Sequence, residues 1–188
     1  MSDVNLLSQS KSLTAVPSKV ALYSAEPEQY LLRGLTAASE SLGPSLLATL
    51  EGAAMLVVKP DLIATRQVMR CISLIKEEGF AVIRFIPFTL RVDMAHALWR
   101  FQFNALTESS KDLMCKIYCR TPSLLMLLRD RWQDEEALGC TRLALLKGSC
   151  DPNRRDPASL RSRLNAPNKV LDAVHCPDES MRLMQNSP

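Results

Sequence analysis

The sequence predicts an α+β sandwich in the split βαβ arrangement, with an antiparallel sheet and helices on one face. Three observations carry this. Apolar runs of strand length recur at 53–58, 80–88 and 123–129. Segments of helical period lie between them, and the resulting order is β-α-β-α-α-β-α-loop-β. The chain is 47% apolar but only 5% aromatic, so it can fill a core built mainly of Leu, Val, Ile and Met.

Residues 1–20 are Ser-rich and without period, and read as a flexible tail. From Glu26 to Leu50, Leu31, Leu32, Leu35, Leu42, Leu46, Leu47 and Leu50 predict one or two helices interrupted at Gly43-Pro44. Residues 1–52 thus form an N-terminal extension, a cap or an oligomer contact, ahead of a domain at 53–188. AAMLVV (53–58) is continuously apolar, as in a strand covered on both faces, and Lys59-Pro60-Asp61 ends it. Val68, Met69, Ile72 and Ile75 make the core stripe of a helix that stops at Gly79.

FAVIRFIPF (80–88) is the second strand. Asp93 is placed to cap a helix carrying Ala97, Leu98, Phe101 and Leu106. A further helix spans Ser109 to Cys119, and Thr121-Pro122 breaks it. SLLMLLR (123–129) is the third strand, although its Leu and Met content also suits a helix. A helix over 133–146 and a polar loop over 147–168, with Pro152, Pro157 and Pro167, lead to a last strand at 170–174 that delivers His175.

Lys plus Arg number 23 against 20 Asp plus Glu, an excess too small to imply a nucleic-acid surface. The densest basic run is Arg154 to Lys169, and no nucleic-acid partner is expected. No apolar run approaches the ~20 residues that span a bilayer, and no export signal opens the chain, so a cytoplasmic protein with reduced thiols is expected and no membrane partner. The six cysteines contain no C-x-x-C pair; Cys115, Cys119 and His175 would make a zinc site only at unspecific spacing. No P-loop, Rossmann turn or G-x-S-x-G elbow is present.

Three landmarks occur in order: LVVKPD (56–61) with a helix and EEGF (77–80) behind it, GSCDPNRRDPASLR (148–161), and VHCPDES (174–180). Together they resemble the nucleoside diphosphate kinase family, in which a strand ending in K-P-D, a helix ending in G-F, a G-x-T-[ND]-P…P…[ST]-[IL]-R loop and an N-x-x-H-x-S-D-S motif follow one another. The resemblance covers roughly residues 53–182 and implies a ferredoxin-like βαββαβ domain. It also implies a ping-pong phosphotransferase that moves the γ-phosphate of ATP or another nucleoside triphosphate to a diphosphate. His175 matches the histidine that carries the phosphoryl group, and Lys59 and Arg161 match the phosphate-contacting lysine and arginine. Mg²⁺ would bridge the phosphates, with Asp178 matching the acidic residue after the histidine. Trp99 stands near the family's base-stacking aromatic. Nucleoside tri- and diphosphates, and a homo-oligomer, are the implied partners.

The chain departs from that pattern at several positions. Asp172 replaces an asparagine three residues before the histidine, and an ionised carboxylate accepts hydrogen bonds only and repels phosphate. Cys150 replaces the loop threonine, a better donor. A second arginine of the family falls on Ala144, with Arg142 nearby as a substitute. Pro177 interrupts the motif after His175, and the family's later acidic residue that orients the histidine has no counterpart. Simpler roles stand beside the functional ones: Lys59 as a solvated strand end, Arg161 as a clamp on the backbone carbonyls of the loop, Trp99 as core, His96 as a helical or partner-facing residue. Two readings follow, a divergent phosphotransferase and a catalytically impaired module that binds nucleotide or partners.

Overall fold

The computed structural model describes residues 29–99, 107–132 and 138–177. Its sheet has four strands, β1 (Ala53–Val58), β2 (Phe80–Phe88), β3 (Ser123–Asp130) and β4 (Val174–His175). Their order is β2-β3-β1-β4, and every pair is antiparallel. Val57 lies opposite Leu125 on one side and His175 on the other. The α+β expectation is thus met, and β1 sits at the centre beside the strand that bears the histidine.

Alternation along β1 sends its residues to two interiors. Ala54, Leu56 and Val58 join Phe80, Met126 and Leu128 in the main core. That core is closed by Cys71, Ile72, Leu74 and Ile75 of α4 (Val68–Glu77) and by Leu143 of α7 (Gly139–Lys147). Met55, Val57 and Leu125 face the other way, where Leu46 and Leu50 of α2 (Leu46–Glu51) cover them. Helices therefore lie on both faces, which corrects the one-face expectation. The apolar run of β1 leaves no polar side to hydrate, and each leucine brought from water to such a face contributes about 1.5–3 kcal/mol. Residues 29–51, including α1 (Gln29–Leu42), pack onto the domain they precede through Ala38, Leu42, Leu46 and Leu50.

A third cluster stands at the end of the sheet where β1 finishes. Ala95 of α5 (Val92–Leu98), Met114 and Tyr118 of α6 (Glu108–Tyr118), Leu90 and Trp99 pack together there. Thr107 caps α6, its hydroxyl accepting from the Ser110 N–H at 3.3 Å. The cap of α5 is Arg91 rather than Asp93, which lies in the first turn and takes the Arg91 guanidinium in a forked pair. Phe101 and Leu106 lie outside the described residues.

Two short helices appear where the sequence pointed to breaks. Pro60 opens α3 (Pro60–Ala64) at N1, where a missing N–H costs nothing. Leu160 opens α8 (Leu160–Arg163) inside the predicted loop, capped by the Ser159 hydroxyl. The last strand is shorter than expected: only Val174 and His175 pair, and 170–173 do not. Asn168 Oδ1 takes the N–H groups of Val170 and Leu171, at 2.9 and 2.8 Å, that a ladder would have used. Ala173 then sits at φ 68°, a left-handed conformation that interrupts an extended chain. No described helix is long and apolar enough to cross a membrane.

Candidate active site

The site begins where β1 ends. Lys59 has extended backbone at the N-cap of α3, and its N–H donates to the Ala173 carbonyl at 3.0 Å. This tie holds the chain just before β4 against the end of β1. It turns the Lys59 side chain inward, where it is only 3% exposed, so Lys59 is not a solvated strand end. Its ammonium pairs with the Asp172 carboxylate and lies 4.5 Å from the Tyr118 ring centre and 5.5 Å from that of Trp99. Burial pushes the Lys59 pKa below the ordinary lysine value, against the pull of Asp172.

Arg161 comes from α8 and is equally buried. Its Nη1 donates to the Gly148 carbonyl at 2.8 Å, Nε to the Asp172 carbonyl at 3.1 Å, and Nη2 to the Val174 carbonyl at 2.8 Å. Nη2 also pairs with the Asp172 carboxylate. The clamp role and the site role thus coincide: Arg161 binds loop carbonyls and stands beside Lys59. Gly148 makes this possible, with φ +80° and a position where a Cβ would lie 2.4 Å from the Ser159 Cβ.

Asp172 sits between the two cations, with one carboxylate oxygen on each. Asp61 adds a second acid: its Oδ2 accepts the Ala173 N–H at 2.9 Å, and its Oδ1 is buried without a hydrogen-bond partner among the described residues. Burial holds the Asp61 carboxyl above the ordinary aspartate pKa, while the Ala173 N–H and Lys59 act the other way. His175, 7% exposed, lies on β4, its Nδ1 accepting from the Trp99 indole N–H at 3.4 Å. The two rings meet edge to face at 79°, and Trp99 packs against Tyr118 at 5.3 Å between centres. The Tyr118 hydroxyl donates to the Val170 carbonyl, and burial raises its pKa.

Lys59, Arg161, Asp172, Trp99 and His175 are therefore brought together from four separate stretches of sequence. Other expected residues are not. Arg142 makes a two-point pair with Asp130, at 2.6 and 2.7 Å, and stacks between Phe80 and Trp132. Asp130 ends β3, five strand positions beyond Leu125, which puts Arg142 roughly 16 Å from the histidine end of the sheet. It does not replace the arginine missing at Ala144. The Cys150 side chain is exposed, and its carbonyl is held by Arg155 at 2.9 Å. Trp99 is buried with Lys59 and Tyr118 against its ring, a packing that offers no face for a base. Asp178 lies outside the described residues, and His96 is an exposed residue in the last turn of α5.

No motif position marks Tyr118, Lys147 or Arg155 for a role here, and Asp61 stands in the K-P-D landmark without one, yet each bears on the site. Lys147, 8% exposed, reaches the Cys176 carbonyl at 3.4 Å. Arg155 holds the carbonyls of Ser149, Cys150 and Ala166, and its pKa is lowered by burial and then by the neighbouring Arg161 charge. Lys169 pairs with Asp151, and Arg163 with Glu77 and Glu78. Most of the basic run from Arg154 to Lys169 is thus paired with groups of the same chain, Lys169 and Arg163 at its surface. A groove of about 380 Å³, lined by Ala48, Thr49, Ile83, Leu127 and Arg129, lies at the opposite end of the sheet from His175. No group of three His, Cys, Asp or Glu able to hold a metal occurs among the described residues, so the zinc arrangement of Cys115, Cys119 and His175 is not formed. Among the described acids of the site, Asp172 is engaged by two cations and Asp61 Oδ2 by a backbone N–H, which leaves Asp61 Oδ1 as the one carboxylate oxygen there without a hydrogen-bond partner.

The same architecture is found among solved structures. Nucleoside diphosphate kinase from Encephalitozoon cuniculi superposes with a TM-score of 0.54 at 15% identity, over 68% of this chain and 80% of that one. Nucleoside diphosphate kinase from Aquifex aeolicus gives 0.53 at 17% identity, over 70% of this chain and 90% of that one. The fold is that of the nucleoside diphosphate kinases. Neither the protein-family models nor the curated protein sequences give a match.

Proposed function

We propose that this chain is a nucleotide-dependent phosphotransferase of nucleoside diphosphate kinase type, with His175 as the phosphoryl-accepting residue. One observation carries the reading: Lys59, Arg161 and His175, far apart in the sequence, meet in one buried cluster at the end of β1 on a nucleoside diphosphate kinase fold. Packing alone does not call for two cations and an imidazole in one place.

An indole N–H only donates, so the Nδ1 that it meets carries the lone pair and the neutral ring holds its proton on Nε2. In the proposed step that lone pair attacks the γ-phosphorus of a nucleoside triphosphate such as ATP. An N–P bond forms, the bond from phosphorus to the β-phosphate oxygen breaks, and the diphosphate leaves with that electron pair. The reverse exchange places the phosphoryl group on an acceptor diphosphate. Lys59 supplies a point charge and Arg161 a fork to the moving oxygens. The Trp99 hydrogen bond must be released before Nδ1 reacts. Mg²⁺ belongs to this reading as the nucleotide's own counter-ion. Self-association of the chain is a further part of the proposal, read by sedimentation.

The second reading, an impaired module that binds nucleotide or partners, is favoured by Asp172, which holds both cations in the resting site. Incubation with γ-labelled ATP and Mg²⁺, followed by an alkaline quench, separates the two. Phosphotransfer predicts acid-labile label that is absent from His175→Ala and discharges onto added diphosphates. No label on a folded wild-type chain overturns it and leaves the binding module.

A further inference from the structure

We infer that Asp172 is the site's own anion: its carboxylate occupies the position between Lys59 and Arg161 that a phosphoryl group would take, and so sets which ligands the site admits. The inference rests on the reading of this cluster as a phosphate site, and it adds a determinant of what can bind there.

The geometry is that of a bound ligand. The two carboxylate oxygens are divided between an ammonium and a guanidinium, as two oxygens of a phosphate would be. The side chains of Lys59, Arg161 and Asp172 are 3%, 6% and 5% exposed, so a second anion has no room beside the first. Lys59 meets aromatic rings on its other sides, and three of the four remaining Arg161 N–H donors go to the carbonyls of Gly148, Asp172 and Val174.

The carboxylate is also fixed in place. The Asp172 carbonyl is held by Arg161 Nε at 3.1 Å and by the Val174 N–H at 2.8 Å. The next residue, Ala173, is anchored at both ends, its N–H on Asp61 and its C=O on the Lys59 N–H. Its φ of 68° is maintained by those anchors, because alanine disfavours that region. An incoming phosphate must therefore expel a carboxylate from a braced turn, or meet it as a like charge.

Asparagine has nearly the same shape and no charge. Asp172→Asn should release both cations to an external anion and tighten binding of inorganic pyrophosphate about tenfold or more, a gain of about 1.4 kcal/mol. Calorimetric titration of the full chain with pyrophosphate, wild type against Asp172→Asn, reads this directly. The gained binding should disappear in the Asp172→Asn, Lys59→Met double variant. Equal affinity in wild type and a folded Asp172→Asn overturns the inference.

Should the variant fail to fold, the wild type decides. Absence of saturable pyrophosphate binding below about 1 mM supports an occupied site. Tighter binding that is lost on Lys59→Met refutes it. Phosphorylation of His175 is measured separately in both proteins. A variant that gains pyrophosphate but takes no label from ATP upholds the role of Asp172 while phosphotransfer fails. A wild type that labels while the variant gains no affinity upholds phosphotransfer and refutes the role of Asp172.

Discussion

The Trp99 indole N–H points at Nδ1 of His175 from 3.4 Å, across the 76 residues that separate them in the chain. That contact biases the imidazole toward one tautomer, with its proton on Nε2. Trp99→Phe keeps an aromatic ring in the cluster and removes the donor. Long-range proton–nitrogen correlation spectra should show an unprotonated Nδ1 for His175 in the wild type and a mixture of tautomers in Trp99→Phe. With only one other histidine, His96, the assignment is direct. Identical spectra for the two proteins would show that the indole does not set the tautomer.

Arg142 and Asp130 make the opposite end of the sheet a structural centre. The Asp130 side chain is fully buried, and Arg142 is its two-point partner while also donating to the Glu78 carbonyl at 2.8 Å. Arg142→Ala leaves a buried carboxylate uncompensated and should lower stability by about 3–5 kcal/mol in urea denaturation. Arg142→Lys should restore little of this, since an ammonium cannot reproduce the fork or the stacking on Phe80. His175 labelling in the folded fraction should be unchanged. A loss of labelling at full stability would place Arg142 in the site after all.

Asp61 makes stability depend on pH. Burial raises its pKa above the ordinary 3.8, so the folded chain holds the Asp61 proton more firmly than the unfolded chain does. Its favourable contribution is full below 3.8 and is lost as pH rises through the folded value. Asp61→Asn keeps an acceptor for the Ala173 N–H without the charge. Urea midpoints should therefore move in favour of the variant between about pH 4 and pH 7. A difference that stays constant over that range would mean the folded and unfolded chains hold this proton equally.

Much of the fold was legible because its strands carry unambiguous patterns. AAMLVV and FAVIRFIPF announced themselves, and SLLMLLR was settled by its neighbours, since Leu124 to Arg129 pair directly with Val58 to Ala53. What the sequence could not supply was partnership between distant residues. The apolar stripe of Leu42, Leu46 and Leu50 says that a face is buried, not that Met55, Val57 and Leu125 bury it. The run VLDAV reads as a strand, but Asn168 takes two of its N–H groups and Ala173 turns left-handed. In the site, His175, Lys59 and Arg161 stood out by motif. Asp172 stood out only as a departure, because its meaning lies in two cations far from it along the chain. Tyr118, four residues after Met114 on α6, looks like an ordinary core residue, and its place beneath the Lys59 ammonium gives no local signal.

The docking of α2 has a consequence in time. Leu46 and Leu50 emerge from the ribosome early, yet the surface that receives them is not complete until Leu125 of β3 has been made and paired with Val57. For that interval α2 has no place to bury its leucines. The β1–β3 pairing it waits for is long-range and correspondingly slow. An early-made helix thus settles only after a strand made about 75 residues later, and what joins it to the domain is an appointment kept late in synthesis.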